Sequence, residues 1–94
     1  MLEADLVTDI IKKLRKVGGW WIKVHGSRYQ SRGLPDIIGC YLGRFYGFEV
    51  KVPGKEDTLT PTQALHLELI RNAGGVSGLV TSVEEAMALL RRRR

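Results

Sequence analysis

Three charged residues interrupt two apolar runs. Asp36 lies in Leu34-Pro35-Asp36-Ile37-Ile38, and Glu49 and Lys51 lie in Phe48-Glu49-Val50-Lys51-Val52. An unpaired ion is expensive to bury, so charge in such runs needs a partner or a purpose. Two carboxylates and an ammonium held together make a place for a hard divalent cation beside a phosphate. Asp36 and Glu49 are the expected metal ligands, with the Val50 carbonyl as a further oxygen. Oxygen-only ligation favours Mg²⁺ or Mn²⁺ over zinc. Lys51 would then orient an attacking water or offset charge in the transition state. The competing reading is a plain cross-strand salt bridge between Lys51 and one carboxylate. It leaves the second carboxylate unexplained.

The grouping follows from a hairpin. With Gly43-Arg44 as a two-residue turn, Leu42 faces Phe45, Glu49 faces Ile38 and Lys51 faces Asp36. Opposed residues of an antiparallel pair point to one face, and residues two apart share a face. Asp36, Glu49 and Lys51 are therefore expected on one face, with diagonal neighbours roughly 7–8 Å apart.

The rest of the chain supplies the frame. Residues 2–17 carry Leu2, Leu6, Val7, Ile10, Ile11, Leu14 and Val17 at helical spacing. Gly18-Gly19 ends that helix, and Lys12, Lys13, Arg15 and Lys16 suit the negative end of its dipole. Trp20 to His25 reads as a strand, Gly26 to Gly33 as a polar loop, Asp36 to Leu42 and Phe45 to Val52 as the hairpin strands. Thr60-Pro61-Thr62-Gln63 combines an N-cap, a proline at the first helical position and a capping-box glutamine. Its helix is expected to turn Leu65, Leu69 and Ile70 inward. Val76 to Thr81 is a fourth strand, and Ser82-Val83-Glu84-Glu85 opens a last helix. The order α-β-β-β-α-β-α predicts an α/β domain with a mixed sheet. The third and fourth strands are parallel through a right-handed crossover.

Ninety-four residues make a single domain, 1–94, and the net charge of +5 favours a polyanionic partner. The single cysteine, Cys40, excludes an internal disulfide and a multi-cysteine zinc site, and reads as a small core residue. No basic segment followed by a long apolar stretch opens the chain, and no apolar run approaches a membrane span. The expectation is a cytoplasmic protein, in a bacterial cell or in the host cell if viral.

The arrangement resembles the PD-(D/E)XK nuclease superfamily, with Pro35-Asp36 as the first half of the motif and Glu49-Val50-Lys51 as the second. More narrowly, Gly33-Leu34-Pro35-Asp36, Glu49-Val50-Lys51, Thr60-Pro61-Thr62-Gln63 and Ala73-Gly74-Gly75 resemble the VRR-Nuc family over nearly the whole chain. The resemblance implies a restriction-endonuclease-like core. It implies Asp36 and Glu49 as ligands, Lys51 as the catalytic lysine, Gln63 as a supporting active-site residue and Glu3 as a further acidic member. It also implies a homodimer that cuts branched DNA such as Holliday junctions, with no small-molecule cofactor.

Several supporting residues have two readings. Gln63 is already explained as the capping partner of Thr60. Glu3 is favoured near a helix N-terminus in any case. Arg28, Tyr29 and Arg32, in the loop before the Asp36 strand, and Lys55, after the Lys51 strand, are candidates for holding phosphate or stacking on a base. The other reading is a solvated loop. His25 ends a strand within reach of a phosphate or of solvent alone. Of Trp20 and Trp21, one should enter the core and the other can anchor an interface. The tail Arg91 to Arg94 would add salt-sensitive affinity for nucleic acid. The reading reached is a metal-dependent DNA endonuclease. The alternative is a non-catalytic nucleic-acid-binding module on the same fold, which would have no use for two carboxylates beside a phosphate.

Overall fold

The structure is a computed structural model that describes residues 1–25 and 32–91. Its elements are α1 (Glu3–Val17), β1 (Trp20–Lys23), β2 (Ile37–Tyr41), β3 (Arg44–Val50), a 3₁₀ turn (Glu56–Thr58), α2 (Pro61–Asn72), β4 (Val76–Val80) and α3 (Val83–Arg91). The four strands form one mixed sheet in the order β1-β2-β3-β4. The first three are antiparallel, and β3 and β4 are parallel across the α2 connection. This is the α/β order expected from the sequence.

Strand alternation divides the sheet into an inner and an outer face. Tyr46, Phe48 and Val50 of β3, with Trp21 and Ile37, enter the core beneath α1 and α3. Leu6, Val7, Ile10, Ile11 and Leu14 form the buried stripe of α1. Trp21 stacks on Phe48 with ring centroids 6.0 Å apart and meets Tyr46 edge-on at 5.5 Å. Such pairs add about 0.5–1.5 kcal/mol beyond the area they bury. The neighbouring Trp20 points the other way and is 57% exposed.

The hairpin turn differs from expectation. Tyr41 faces Arg44, so the two loop residues are Leu42 and Gly43, both with positive φ (50° and 80°). That is the pattern of a type I′ turn, whose twist matches the flanking strands. Leucine in that region costs about 1–2 kcal/mol. In return Gly39 lies between Trp21 and Tyr46, and the indole of Trp21 occupies the space that any Cβ at Gly39 would need. Ile38 consequently faces Gly47, where the expected turn gave Glu49. An offset of two residues preserves the faces while changing the partners.

α2 covers the outer face over β3 and β4. It buries a narrow stripe, with Leu67 fully inward and Ile70 half-buried. Leu65 and Leu69, expected inward, are half exposed. Cys40, expected in the core, is exposed on β2. Among the described residues, no helix covers the outer face of β1 and β2, where Cys40 lies. Among the described residues, no helix is long and apolar enough to cross a membrane.

Candidate metal centre and active site

Asp36 sits one residue before β2. Its carbonyl accepts a hydrogen bond from Val24 N–H at 2.8 Å, and its Oδ2 accepts from Val50 N–H at 2.8 Å. The residue is thus pinned between the ends of β1 and β3. Continued one step past Ile37 and Phe48, the register sets Asp36 across from Glu49. The expected pairing of Asp36 with Lys51 is therefore corrected by the Leu42-Gly43 turn. The shared face survives, because the shift is an even number of residues.

Glu49 occupies the outer face of β3 and is only 2% exposed. Its Oε2 accepts a hydrogen bond from Gln63 Nε2 at 3.2 Å. Its Oε1 is buried without a hydrogen-bond partner among the described residues. Burial is the first cause that pushes its pKa from 4.5 up to about 8. The adjacent Asp36 carboxylate adds to the shift, both as an acceptor for a proton on Glu49 and by its charge, and Glu3 contributes in the same direction. Lys51 acts against it. An acid in this position asks for a proton or a cation.

Gln63 is the third residue of the α2 cap and serves two purposes at once. Thr60 Oγ1 accepts from Gln63 N–H at 3.1 Å, and Gln63 Oε1 accepts from Thr60 N–H at 2.9 Å. That leaves Nε2 to donate to Glu49. The capping and site readings of Gln63 are therefore compatible.

Gly33 is a positioning residue that sequence reasoning left inside a motif without a role. It has φ +81°, and a Cβ there would lie 2.7 Å from Thr62 Cγ2 and 2.9 Å from Gln63 N. The segment leading to Asp36 is thus pressed against the first turn of α2, which carries Gln63. The only hint in the sequence is a glycine just before Leu34-Pro35-Asp36.

The remaining candidates spread outward. Lys51 follows β3, is half-buried, and continues the pairing with β4 through its N–H to Val80 C=O at 3.1 Å. Val50 buries its side chain on the inner face while donating its N–H to Asp36. Glu3 is exposed at the start of α1, and its charge reaches Glu49. Arg32 and Lys55 are both exposed. Arg28 and Tyr29 lie outside the described residues.

The residues present fit a hard cation. The unpartnered Glu49 oxygen next to Asp36 is the principal sign. Among the described residues no group of three or more His, Cys, Asp or Glu side chains is placed to hold a metal ion. A pair of carboxylates suits Mg²⁺, which keeps several waters and needs only one or two protein carboxylates. The sequence matches no family model and no curated protein.

Proposed function

We propose that the chain is a Mg²⁺- or Mn²⁺-dependent DNA endonuclease that hydrolyses phosphodiester bonds. Glu49 carries the reading: a buried acid with one unpartnered oxygen, beside a second carboxylate, and influenced by the charge of Lys51. A protein with no ligand for that site gains nothing from keeping such an acid out of water.

When bound, the cation supplies Lewis-acid help and neutralises charge at the phosphate. Asp36 and Glu49 would hold it, with Glu49 in its ionised form. Gln63 fixes the orientation of Glu49 through Oε2. Lys51 orients the attacking water or offsets the charge that builds on the phosphoryl oxygens. Branched DNA such as Holliday junctions as substrate, and a homodimer as the working form, are supported by the resemblance to the VRR-Nuc family. A twofold dimer presents two sites to a symmetric junction.

The test is cleavage of labelled four-way, flap and linear duplex DNA in Mg²⁺, Mn²⁺ or EDTA. Wild type should cut with metal only, and prefer the four-way junction. Asp36→Asn and Lys51→Ala should each slow cutting by at least about a hundredfold. Equal cutting by the variants, or none by wild type, defeats the proposal. Binding without cutting would favour the non-catalytic module.

A further inference from the structure

A second feature lies outside the carboxylate site, along the β1 edge of the sheet. β1 is an edge strand, and an open groove of about 720 Å³ runs between it and α1. Lys12 and Arg15 of α1 form one wall, and Lys23 and His25 the other. Thr8 adds a hydroxyl, and among the described residues no Asp or Glu lines the groove. All four basic residues are exposed. Arg15 is held in place by its Nη2, which donates to Trp21 C=O at 3.0 Å. The dipole of α1 accounts for cations in its last turn. It accounts for neither Lys23 nor His25, which come from the strand.

The end of β1 that lines the groove pairs through its backbone with Asp36. Val24, between Lys23 and His25, donates its N–H to Asp36 C=O. The Asp36 carboxylate itself turns toward Val50 on β3, so the groove and the carboxylate pair share a strand end and not a lining. An edge strand also presents backbone N–H groups that can bind phosphate oxygens.

We propose that Lys12, Arg15, Lys23 and His25 form a track for the DNA backbone, holding phosphates along the β1 edge of the sheet. The track rests on the nuclease reading for its substrate. Its contacts are to phosphate, so it sets the register of the strand and not the sequence.

Fluorescence anisotropy with labelled DNA in EDTA tests it without any cutting. The double variant Lys12→Ala/Lys23→Ala should bind at least about tenfold more weakly. It should also lower the slope of log affinity against log salt by about two. Lys13→Ala/Lys16→Ala removes the same charge from α1, at residues that do not line the groove. It should change affinity by less than about twofold. Lys12→Arg/Lys23→Arg should bind like wild type. Equal weakening by both alanine pairs would reduce the effect to net charge and overturn the track, as would no weakening by the groove pair. Cleavage in Mn²⁺ by the same preparations separates the two ideas. Wild-type cutting with an inert groove pair defeats the track alone. A groove effect with no cutting by wild type supports the track and defeats the nuclease.

Discussion

Phe48 and Glu49 are neighbours in β3, and both are almost completely shielded from water (0% and 2% exposed). They face opposite sides of the sheet. Phe48 meets Trp21 and Tyr46 in the aromatic core under α1 and α3. Burying such a side chain stabilises the fold by about 1.5–3 kcal/mol. Glu49 does the reverse: burial beside Asp36 penalises its charged form. Equal burial thus has opposite energetic signs on the two faces. The inner face is built to fold, and the outer face holds charge that folding alone does not require.

Substitutions at these two positions should separate the two roles. Glu49→Gln keeps the shape and removes the charge, so metal-dependent cleavage should fall by at least about a hundredfold. Its unfolding free energy in EDTA at pH 8 should hold or rise, because the variant has no carboxylate to desolvate. Phe48→Ala should cost about 3–5 kcal/mol through lost burial and a cavity. In a domain this small that is a large share of total stability. Urea denaturation beside a cleavage assay reads both. If Glu49→Gln destabilises the protein as much as Phe48→Ala does, Glu49 is a structural residue and the contrast between the faces collapses.

The contrast also has a pH signature. The folded pKa of Glu49 lies at about 8, above the ordinary 4.5, so the folded state holds this proton more tightly than the unfolded state. The resulting stability is complete below about pH 4.5 and is lost as pH rises through 8. Wild type in EDTA should therefore lose on the order of a few kcal/mol relative to Glu49→Gln between pH 5 and pH 8. Added Mg²⁺ should recover much of the loss at pH 8, since the cation takes the proton's place. Phe48→Ala should leave the slope unchanged. Parallel urea midpoints for wild type and Glu49→Gln across that range would show that the buried acid is not linked to folding.

The sequence told these faces apart but not what covers each of them. Alternation put Glu49 opposite in sense to Phe48 and Val50, and it put Asp36 and Lys51 with Glu49. That grouping survived a misplaced turn because parity tolerates a two-residue shift. The individual pairings did not survive, because they followed from a turn at Gly43-Arg44, and the turn lies one residue earlier, at Leu42-Gly43. A positive φ at Leu42 is what a residue-type rule for turns does not anticipate. Leu65, Leu69 and Cys40 fail for a different reason. Hydrophobic spacing assigns a residue to a side, and only packing decides whether that side has a cover. The contact of Gly33 with Thr62 joins segments distant in sequence and had no local signal beyond the glycine itself.

The two helix caps repeat the comparison on a smaller scale. α2 lies on the outer face and α3 on the inner, and both begin with a hydroxyl residue followed three positions later by Gln or Glu. In α3, Ser82 Oγ accepts from Glu85 N–H at 3.0 Å, while the Glu85 carboxylate accepts from Thr81 N–H and Oγ1 at 2.6 and 2.9 Å. An ionised carboxylate is acceptor-only, so Glu85 finishes its work at its own helix. Gln63 accepts from Thr60 and still has an amide donor for Glu49. Alanine at either position should cost about 1 kcal/mol of stability. Gln63→Ala should also slow cleavage by about tenfold, as expected when a group orienting a ligand is lost. Glu85→Ala should leave turnover unchanged. Gln63→Glu isolates the cause, because it keeps the cap acceptor and removes the donor, while placing a third carboxylate beside Glu49. Its melting temperature without metal should fall, because three carboxylates then crowd together, and cleavage should fall at least as far as in Gln63→Ala. If Gln63→Glu cuts at the wild-type rate, the amide serves the helix alone, and the difference between the two caps is one of sequence without consequence for the site.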